Sequence, residues 1–481
     1  MMNSSTLGYT RTEPSPDMTE ISERPITELS AAYRSGELTP VDAVTVALSN
    51  IEAFDGKLGA FELVLADRAR EAAEAATRAI ASGHRIGPFH GIPFALKDLV
   101  DVEGLVTTGG TDVHAGRIAT ATATIARRLI AAGGILVGKT KTVEVAYGAW
   151  GTNQVRGTPW NPWDPEVHRM PGGSSSGSGV AVAARMAHCA VGTDTGGSVR
   201  IPAAACGITG LKVTEGRLPL DGIVPLSHTL DTPGPMARSV ADAVIMFEAL
   251  DGRHPAATDA DVASTTGLFA EAAAGIEGLA LGVLTDAERE GIAADILEIY
   301  DDAIARLARL GATIVPFELP VPIEEMKRDV GVIISADSYY HHGDMYETPS
   351  NRVDTDVKPR VLYGREISSK RYIQALQRRL VHRAETVAHM KNRTAAIVTP
   401  TLPTAPPPIS DIDQSSTAAV LTRAVNYLGF CAMAQPMGLT SGGLPASLQT
   451  IAPGNGEATT IRIAAAFERD IGPIGLPPAI T

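Results

Sequence analysis

The feature that most limits how this chain can fold is an alternation, from residue 91 onward, of short apolar runs closed by glycine with longer stretches of helical period. GIPFALKDLVDVEG reads as a short buried strand running into a turn, and ATIARRLIAAGG followed by ILVGKT reads as a helix, a glycine cap and a strand. AVAARMA continues as a helix and CAVGTD as a strand; ALGVLTD, DILEIYDDAIARLARLGA and TIVPFELP then repeat strand, helix, strand. The pattern predicts an α/β fold: a large mixed, mostly parallel β-sheet covered by helices on both faces.

The flanks are less regular. Residues 1–25 read as a polar tail, after which Thr39 and Pro40 stand where an N-cap and first helical residue belong, with Asp42 three residues past the cap; a helix is predicted from there to about Ile51. ADRAREAAEAATRAIASG forms a second peripheral helix that stops at Gly83. Residues 322–392 are helical and polar in pattern and are expected to cover a site rather than build the sheet. AAIVTPTLPTAPPPI reads as a strand entering a Pro-rich loop, and MGLTSGGLPASLQTIA as two strands joined through Gly442 and Gly443. With no internal repeat and no interdomain linker, residues 26–481 are expected to form one domain.

Composition narrows the function. The 481 residues carry a net charge of −13, which argues against a nucleic-acid or anionic-membrane surface, since both need clustered Lys and Arg. Three cysteines, Cys189, Cys206 and Cys431, are far apart and show no CxxC spacing, so neither a disulfide framework nor a zinc knuckle is expected, and a reducing cytoplasm fits. The first residues lack an apolar export segment, and no run is long enough to cross a bilayer, so a cytoplasmic location is expected.

Three short motifs look functional and fail on context. GGILVGKT, Gly133 to Thr140, matches a phosphate-binding loop, but such a loop follows a strand and opens a helix, whereas here a helix precedes and Ile135, Leu136 and Val137 are themselves a strand. GSSSG, Gly173 to Gly177, matches a nucleophile elbow centred on Ser175, with His228, His341, His342, His382 and His389 available downstream as bases. The elbow needs a strand upstream, and NPWDPEVHRMPGG is a loop. His341, His342 and Asp344 lack metal-ligand spacing and read as solvated helix residues; no metal or cofactor is expected.

MPGGSSSGSG, Met170 to Gly179, has the composition of a flexible linker, yet it leads straight into the small-residue helix VAVAARMA. Its serines therefore occupy a loop and a helix entry, where backbone N–H groups are free. A second cluster follows in GTDTGGSVRIPAAACGITGLK, Gly192 to Lys212: a strand ends in Asp194, and consecutive amides around Gly196 and Gly197 suit a developing oxyanion ahead of Ser198. Taken singly, Lys97 beside Asp98 reads as a solvated pair, the loop serines as turn formers, and Asp194 with Arg200 as a structural ion pair.

Taken jointly, GGSSSGSG, GTDTGGSVRIPA and GLK, with KD in GIPFALKD and NPWD before the serines, resemble the amidase signature family of serine hydrolases over nearly the whole chain. ITELSAAYRSGELTPVDAV, TPTLPTAPPPI and GLPASLQ fall in that family's order. The resemblance implies a Ser–cis-Ser–Lys triad in which Ser198 is the nucleophile, Ser174 the bridging serine and Lys97 the base. It puts the oxyanion hole on the backbone N–H groups of Thr195, Gly196, Gly197 and Ser198, and supporting roles on Ser175, Asp194 and Arg200. A lysine acts as a base only when neutral, which requires burial without a close anion, and the apolar Phe94, Ala95 and Leu96 are consistent with that.

The implied activity is cleavage of the C–N bond of a small or medium linear amide, without cofactor or metal; carbamates, anilides and ureas are open to the same chemistry. A glutaminase component of a tRNA-dependent amidotransferase is the alternative of a different class. The expected partner is a small-molecule amide, with no nucleic acid or membrane; a homodimer is compatible. Ser176 stands where the family has Gly, Val213 where it has Pro, and GLPASLQ where it has GLPVGLQ, none of them a triad position.

Overall fold

The computed structural model describes residues 18–84, 87–252 and 267–480. Eleven strands form one sheet: β1 (Phe61–Val64), β2 (Pro93–Lys97), β3 (Ile135–Thr140), β4 (Cys189–Asp194), β5 (Thr209–Lys212), β6 (Thr232–Ala237), β7 (Ala280–Val283), β8 (Thr313–Pro316), β9 (Ala396–Pro400), β10 (Cys431–Leu439) and β11 (Pro445–Ala452). Their order across the sheet is β1-β3-β2-β4-β6-β5-β10-β11-β9-β7-β8.

The large mixed sheet expected from the alternation is present, with one amendment. Parallel pairing is confined to two blocks, β3-β2-β4 and β9-β7-β8. The other six pairings are antiparallel, so "mostly parallel" does not describe the whole. The excess arises where the chain turns back without a helical crossover, as in the β10–β11 hairpin through Gly442 and Gly443, and where β6 is inserted between β4 and β5.

Both faces are covered, and β2 shows how. Its five residues are all buried; Phe94 and Leu96 pack into a core with Val240, Val244 and Phe247 of the helix Val240–Asp251, while Ala95 packs into another with Val180, Val182, Val44 and Leu48. Successive side chains of a strand point to opposite faces, so an uninterrupted apolar run is what a strand between two helical layers needs. The helix Ser176–Ala183 is buried along its whole length. Its sequence, SGSGVAVA, suits that position: a Cβ on Gly177 would lie 2.2 Å from the Ala60 carbonyl and 2.5 Å from the Lys141 amide. The Gly/Ser run is thus a tightly packed helix entry and not a linker.

The helix opened by Thr39 runs Pro40–Leu58, a turn or more past the predicted end, and Thr39 and Asp42 form the reciprocal cap. Residues 1–17 of the polar tail lie outside the described residues. The remainder of that stretch is not tail-like: Met18–Glu23 is helical with Ile21 and Ser22 buried, and the Ser22 carbonyl accepts from Arg185 Nη1 (3.2 Å) and Arg238 Nη2 (2.9 Å). Within 322–392 the chain forms helices Ile323–Glu347, Lys358–Leu362 and Ser369–Met390. Among the described residues no helix is long and apolar enough to cross a membrane.

Candidate active site

Parallel neighbours present their C-terminal ends at the same edge of a sheet, and that edge is where α/β folds place their chemistry. β2 ends in Lys97 and its neighbour β4 ends in Asp194, with Leu96 in register with Val191. Lys97 is 0% exposed, and its Nζ donates to Ser174 Oγ at 2.8 Å and to Thr193 Oγ1 at 2.8 Å. It is therefore no solvated partner of Asp98. That carboxylate is taken by Lys139, whose Nζ lies 2.5 Å from Asp98 Oδ1, and by the Thr108 amide at 2.9 Å. Lys139 belongs to the GKT of the phosphate-loop lookalike; it sits in β3, fully buried, where it diverts the neighbouring anion away from Lys97.

Burial pushes the Lys97 amine down to about 7, against the opposing pull of the Asp231 and Asp194 charges. Asp231 is pushed up to about 6, first by burial, while the Thr195 hydroxyl and the amides of Leu226 (2.9 Å) and Ser227 (3.0 Å) favour its ionised form.

The serine loop is fixed by its backbone. The Ser174 carbonyl accepts from the Val143 amide (3.1 Å) and Thr142 Oγ1 (3.0 Å), the Gly173 amide donates to Ala149 O (2.8 Å), and the Gly173–Ser174 peptide bond is cis. Ser175 is not placed as a nucleophile: it is buried, its Oγ donates to Thr193 O (3.3 Å) and accepts from Thr193 N (3.2 Å), which ties the loop to β4.

Past Asp194 the chain crosses Thr195–Ser198 and enters the helix Arg200–Ala205. Asp194 and Arg200 form a fully buried pair, Nε to Oδ2 at 3.0 Å and Nη2 to Oδ1 at 3.1 Å. Burial alone would raise the Asp194 carboxyl, but the Arg200 guanidinium, Lys212 and Asn426 hold it well below the usual carboxylate range. Arg200 also donates to Gln449 Oε1 (3.0 Å), Thr422 O (3.0 Å) and Asn426 Oδ1 (2.7 Å). Asp194 Oδ1 accepts from the Gly197 amide at 2.7 Å, and Oδ2 from the Val199 amide at 3.2 Å.

The Gly197 bond corrects one expectation. The Gly197 N–H is engaged by the Asp194 carboxylate and is not available to an oxyanion, which leaves Thr195, Gly196 and Ser198 of the four amides the resemblance implies. Gly197 instead shapes the turn: its φ is +130°, and a Cβ there would lie 2.2 Å from Thr422 Oγ1.

Thr195, Gly196 and Ser198 line a cavity of about 220 Å³, together with apolar Ile201, Leu226 and Ile334. Ser198 is 7% exposed, Ser174 fully buried. Sequence reasoning missed Thr193 and Asp231, as well as Thr422, Asn426 and Gln449 around Arg200. Only Asp231 had a usable signal, an acid opening the Pro/Gly stretch DTPGP. His342 also departs from expectation: it is buried, with Nε2 2.6 Å from Pro225 O, because it lies on the inner face of its helix. Among the described residues no group of three or more His, Cys, Asp or Glu is placed to hold a metal ion.

The eleven-stranded α/β sheet brings a buried lysine and two Gly/Ser loops to one strand edge, and comparison with known proteins gives the class to which this arrangement belongs. The Amidase family profile matches residues 42–461, and the chain belongs to that family. A 2-amino-5-chloromuconic acid deaminase of Comamonas testosteroni is 35% identical over 458 residues, covering 93% of this chain and 96% of that protein. The glutamyl-tRNA(Gln) amidotransferase A-subunit of Anaeromyxobacter dehalogenans is 34% identical over 94% of this chain and 97% of that one. Among solved structures, native peptide amidase of Stenotrophomonas maltophilia superposes with a TM-score of 0.80 at 28% identity, covering 95% of this chain and 99% of that one. The protein is an amidohydrolase by family.

Proposed function

We propose that this chain hydrolyses the C–N bond of a small linear amide through an acyl-enzyme on Ser198, with Ser174 and Lys97 as the proton relay. The observation that carries the reading is the Lys97 amine: buried, hydrogen-bonded to Ser174 Oγ at 2.8 Å, in no ion pair among the described residues, and brought down to about 7 by burial. About half of it is then neutral at pH 7, as a general base must be.

In the first half-reaction Lys97 Nζ takes the Ser174 proton, Ser174 Oγ takes that of Ser198, and Ser198 Oγ bonds to the amide carbon while the carbonyl π pair moves onto oxygen. The N–H groups of Thr195, Gly196 and Ser198 are the donors proposed for that oxyanion. On collapse the C=O re-forms, the C–N bond breaks, and the proton held on Lys97 returns through Ser174 to the departing nitrogen. Water then attacks the ester carbon and gives a proton through Ser174 to Lys97; the bond to Ser198 Oγ breaks, that proton returns through Ser174 to the Ser198 oxygen, and the carboxylic acid leaves. One water is consumed and no proton is left over. Asp194 and Arg200 act through the loop, fixing Thr195–Ser198 without meeting the substrate.

Anilides, carbamates and ureas are accessible to the same steps. A second reading, a glutaminase that passes ammonia to a partner, is favoured by the similarity to the amidotransferase A-subunits. One experiment separates them: the isolated chain is given primary amides, anilides, carbamates and free glutamine, with products and the tryptic peptide containing Ser198 followed by mass spectrometry. Turnover with an acyl mass on Ser198 supports the hydrolase. Glutamine turnover that needs added partner proteins supports the complex, and an acyl mass on another residue overturns the assignment.

A further inference from the structure

The cavity beside Ser198 holds two guanidinium groups and, among the described residues, no carboxylate. Arg360, from the helix Lys358–Leu362, and Arg423, at the start of the helix Arg423–Tyr427, both line it, and no Asp or Glu does. Arg360 donates to Tyr147 O (3.0 Å), Gln414 O (2.9 Å) and Gln414 Oε1 (3.0 Å), all neutral acceptors. Arg423 Nη2 donates to Thr417 Oγ1 at 3.3 Å. Among the described residues neither arginine forms an ion pair; Asp356 senses the Arg360 charge but accepts from Gln154 Nε2 (2.8 Å) instead. Burial lowers the Arg423 guanidinium from its ordinary value, Tyr147 opposes this, and the like charge of Arg360 adds to it.

Two partly buried like charges with only neutral partners are unfavourable until an anion joins them, and the planar fork of a guanidinium matches a carboxylate in a two-point grip. The apolar part of the lining, which includes Ile201, Leu226 and Ile334, suits a short hydrocarbon spacer, and about 220 Å³ is below the roughly 300–1,000 Å³ typical of drug-sized sites. We propose that the substrate is an amide whose acyl part ends in a carboxylate, a short dicarboxylic acid monoamide, with Arg360 and Arg423 holding the carboxylate and the amide carbon at Ser198. This rests on the acyl-enzyme reading above. It also disfavours glutamine, whose ammonium group would enter a cavity with two cations and no acid.

The test compares kcat/KM for succinamate and glutaramate with butanamide and pentanamide, which keep the carbon chain and lose the charge. Charge-assisted hydrogen bonds of this kind predict a preference for the acids of about 10- to 100-fold. Arg360→Gln and Arg423→Gln each bring the ratio of acid to neutral rates toward one, chiefly through KM, and Arg423→Lys restores part of it. Equal rates on both sets in the wild type overturn the proposal and leave the Ser198 chemistry standing. Should none of these amides turn over, the small-amide reading falls, and binding decides the arginine site. A rise in the Tm of Ser198→Ala protein with millimolar glutarate, lost when Arg423→Gln is added, supports it; no rise overturns it.

Discussion

If Lys97 is the base of the proposed relay, its neutral fraction sets the acid side of the rate profile, and the size of that fraction follows from burial. At a pKa of about 7 the amine is neutral in about one molecule in eleven at pH 6 and about ten in eleven at pH 8. An ordinary lysine would be neutral in about one in three thousand at pH 7 and would gain tenfold per pH unit past pH 9. We therefore expect kcat/KM for an uncharged amide to rise about tenfold from pH 6 to pH 8 and then level off. Initial rates at constant ionic strength from pH 5.5 to 9.5 test this. Asp231 supplies the sharper test, since its charge is the first to oppose the effect of burial on Lys97. Asp231→Asn removes that charge and moves the acid limb down by roughly one pH unit, so the variant outruns wild type several-fold at pH 6 and matches its profile shape above pH 8. A wild-type rate still climbing at pH 9.5, or a limb that stays put or moves up in Asp231→Asn, would refute the role given to Lys97.

Ser198→Ala should lower kcat/KM by at least roughly three orders of magnitude with an unchanged circular dichroism spectrum, and near-normal turnover would remove Ser198 from the mechanism. Lys97→Met should be inactive yet more stable by roughly 2 kcal/mol at pH 6, because a depressed pKa costs the fold nothing above pH 10.5 and most below pH 7, partly offset by two lost hydrogen bonds. Urea midpoints at pH 6 and pH 9 check the sign, and a difference that is the same at both would contradict it. Lys139→Met leaves Asp98 buried beside Thr108 alone and should cost about 3 kcal/mol, part of which Asp98→Asn recovers in the double variant. A cost below about 1 kcal/mol in the single variant would mean the pair is dispensable.

What the sequence made legible was what lies in contiguous motifs. Strands β2, β3 and β4, the helix after the serine loop and the residues Lys97, Ser174, Asp194 and Ser198 stand in short patterned stretches, where period and glycine placement report local structure. Strand β6 was illegible for a physical reason: TPGPMA carries Pro233 and Pro235, which argue against a central strand, yet it pairs with both β4 and β5. Asp231, just ahead of it, shows in the sequence only as the acid that opens DTPGP, with nothing there to say that it faces Lys97. Lys139 reads as a strand residue, but its partner Asp98 lies on another strand's exit, and no one-dimensional pattern encodes that pairing. Arg360 and Arg423 lie more than a hundred residues after Ser198, the first in a polar stretch and the second in the largely apolar AAVLTRAVNYLGF, and neither carries a motif; only the folded cavity brings them together.

The anchoring of the loop that bears Ser198 has a consequence for the nascent chain. Arg200 grips that loop by reaching Thr422, Asn426 and Gln449, all in the final seventh of the polypeptide. Until the ribosome has released those residues, the guanidinium lacks its far anchors. In the proposed mechanism, a chain made only as far as Ser198 and its helix has the nucleophile without the fixed loop it needs, and residues 422–449 supply that fixing.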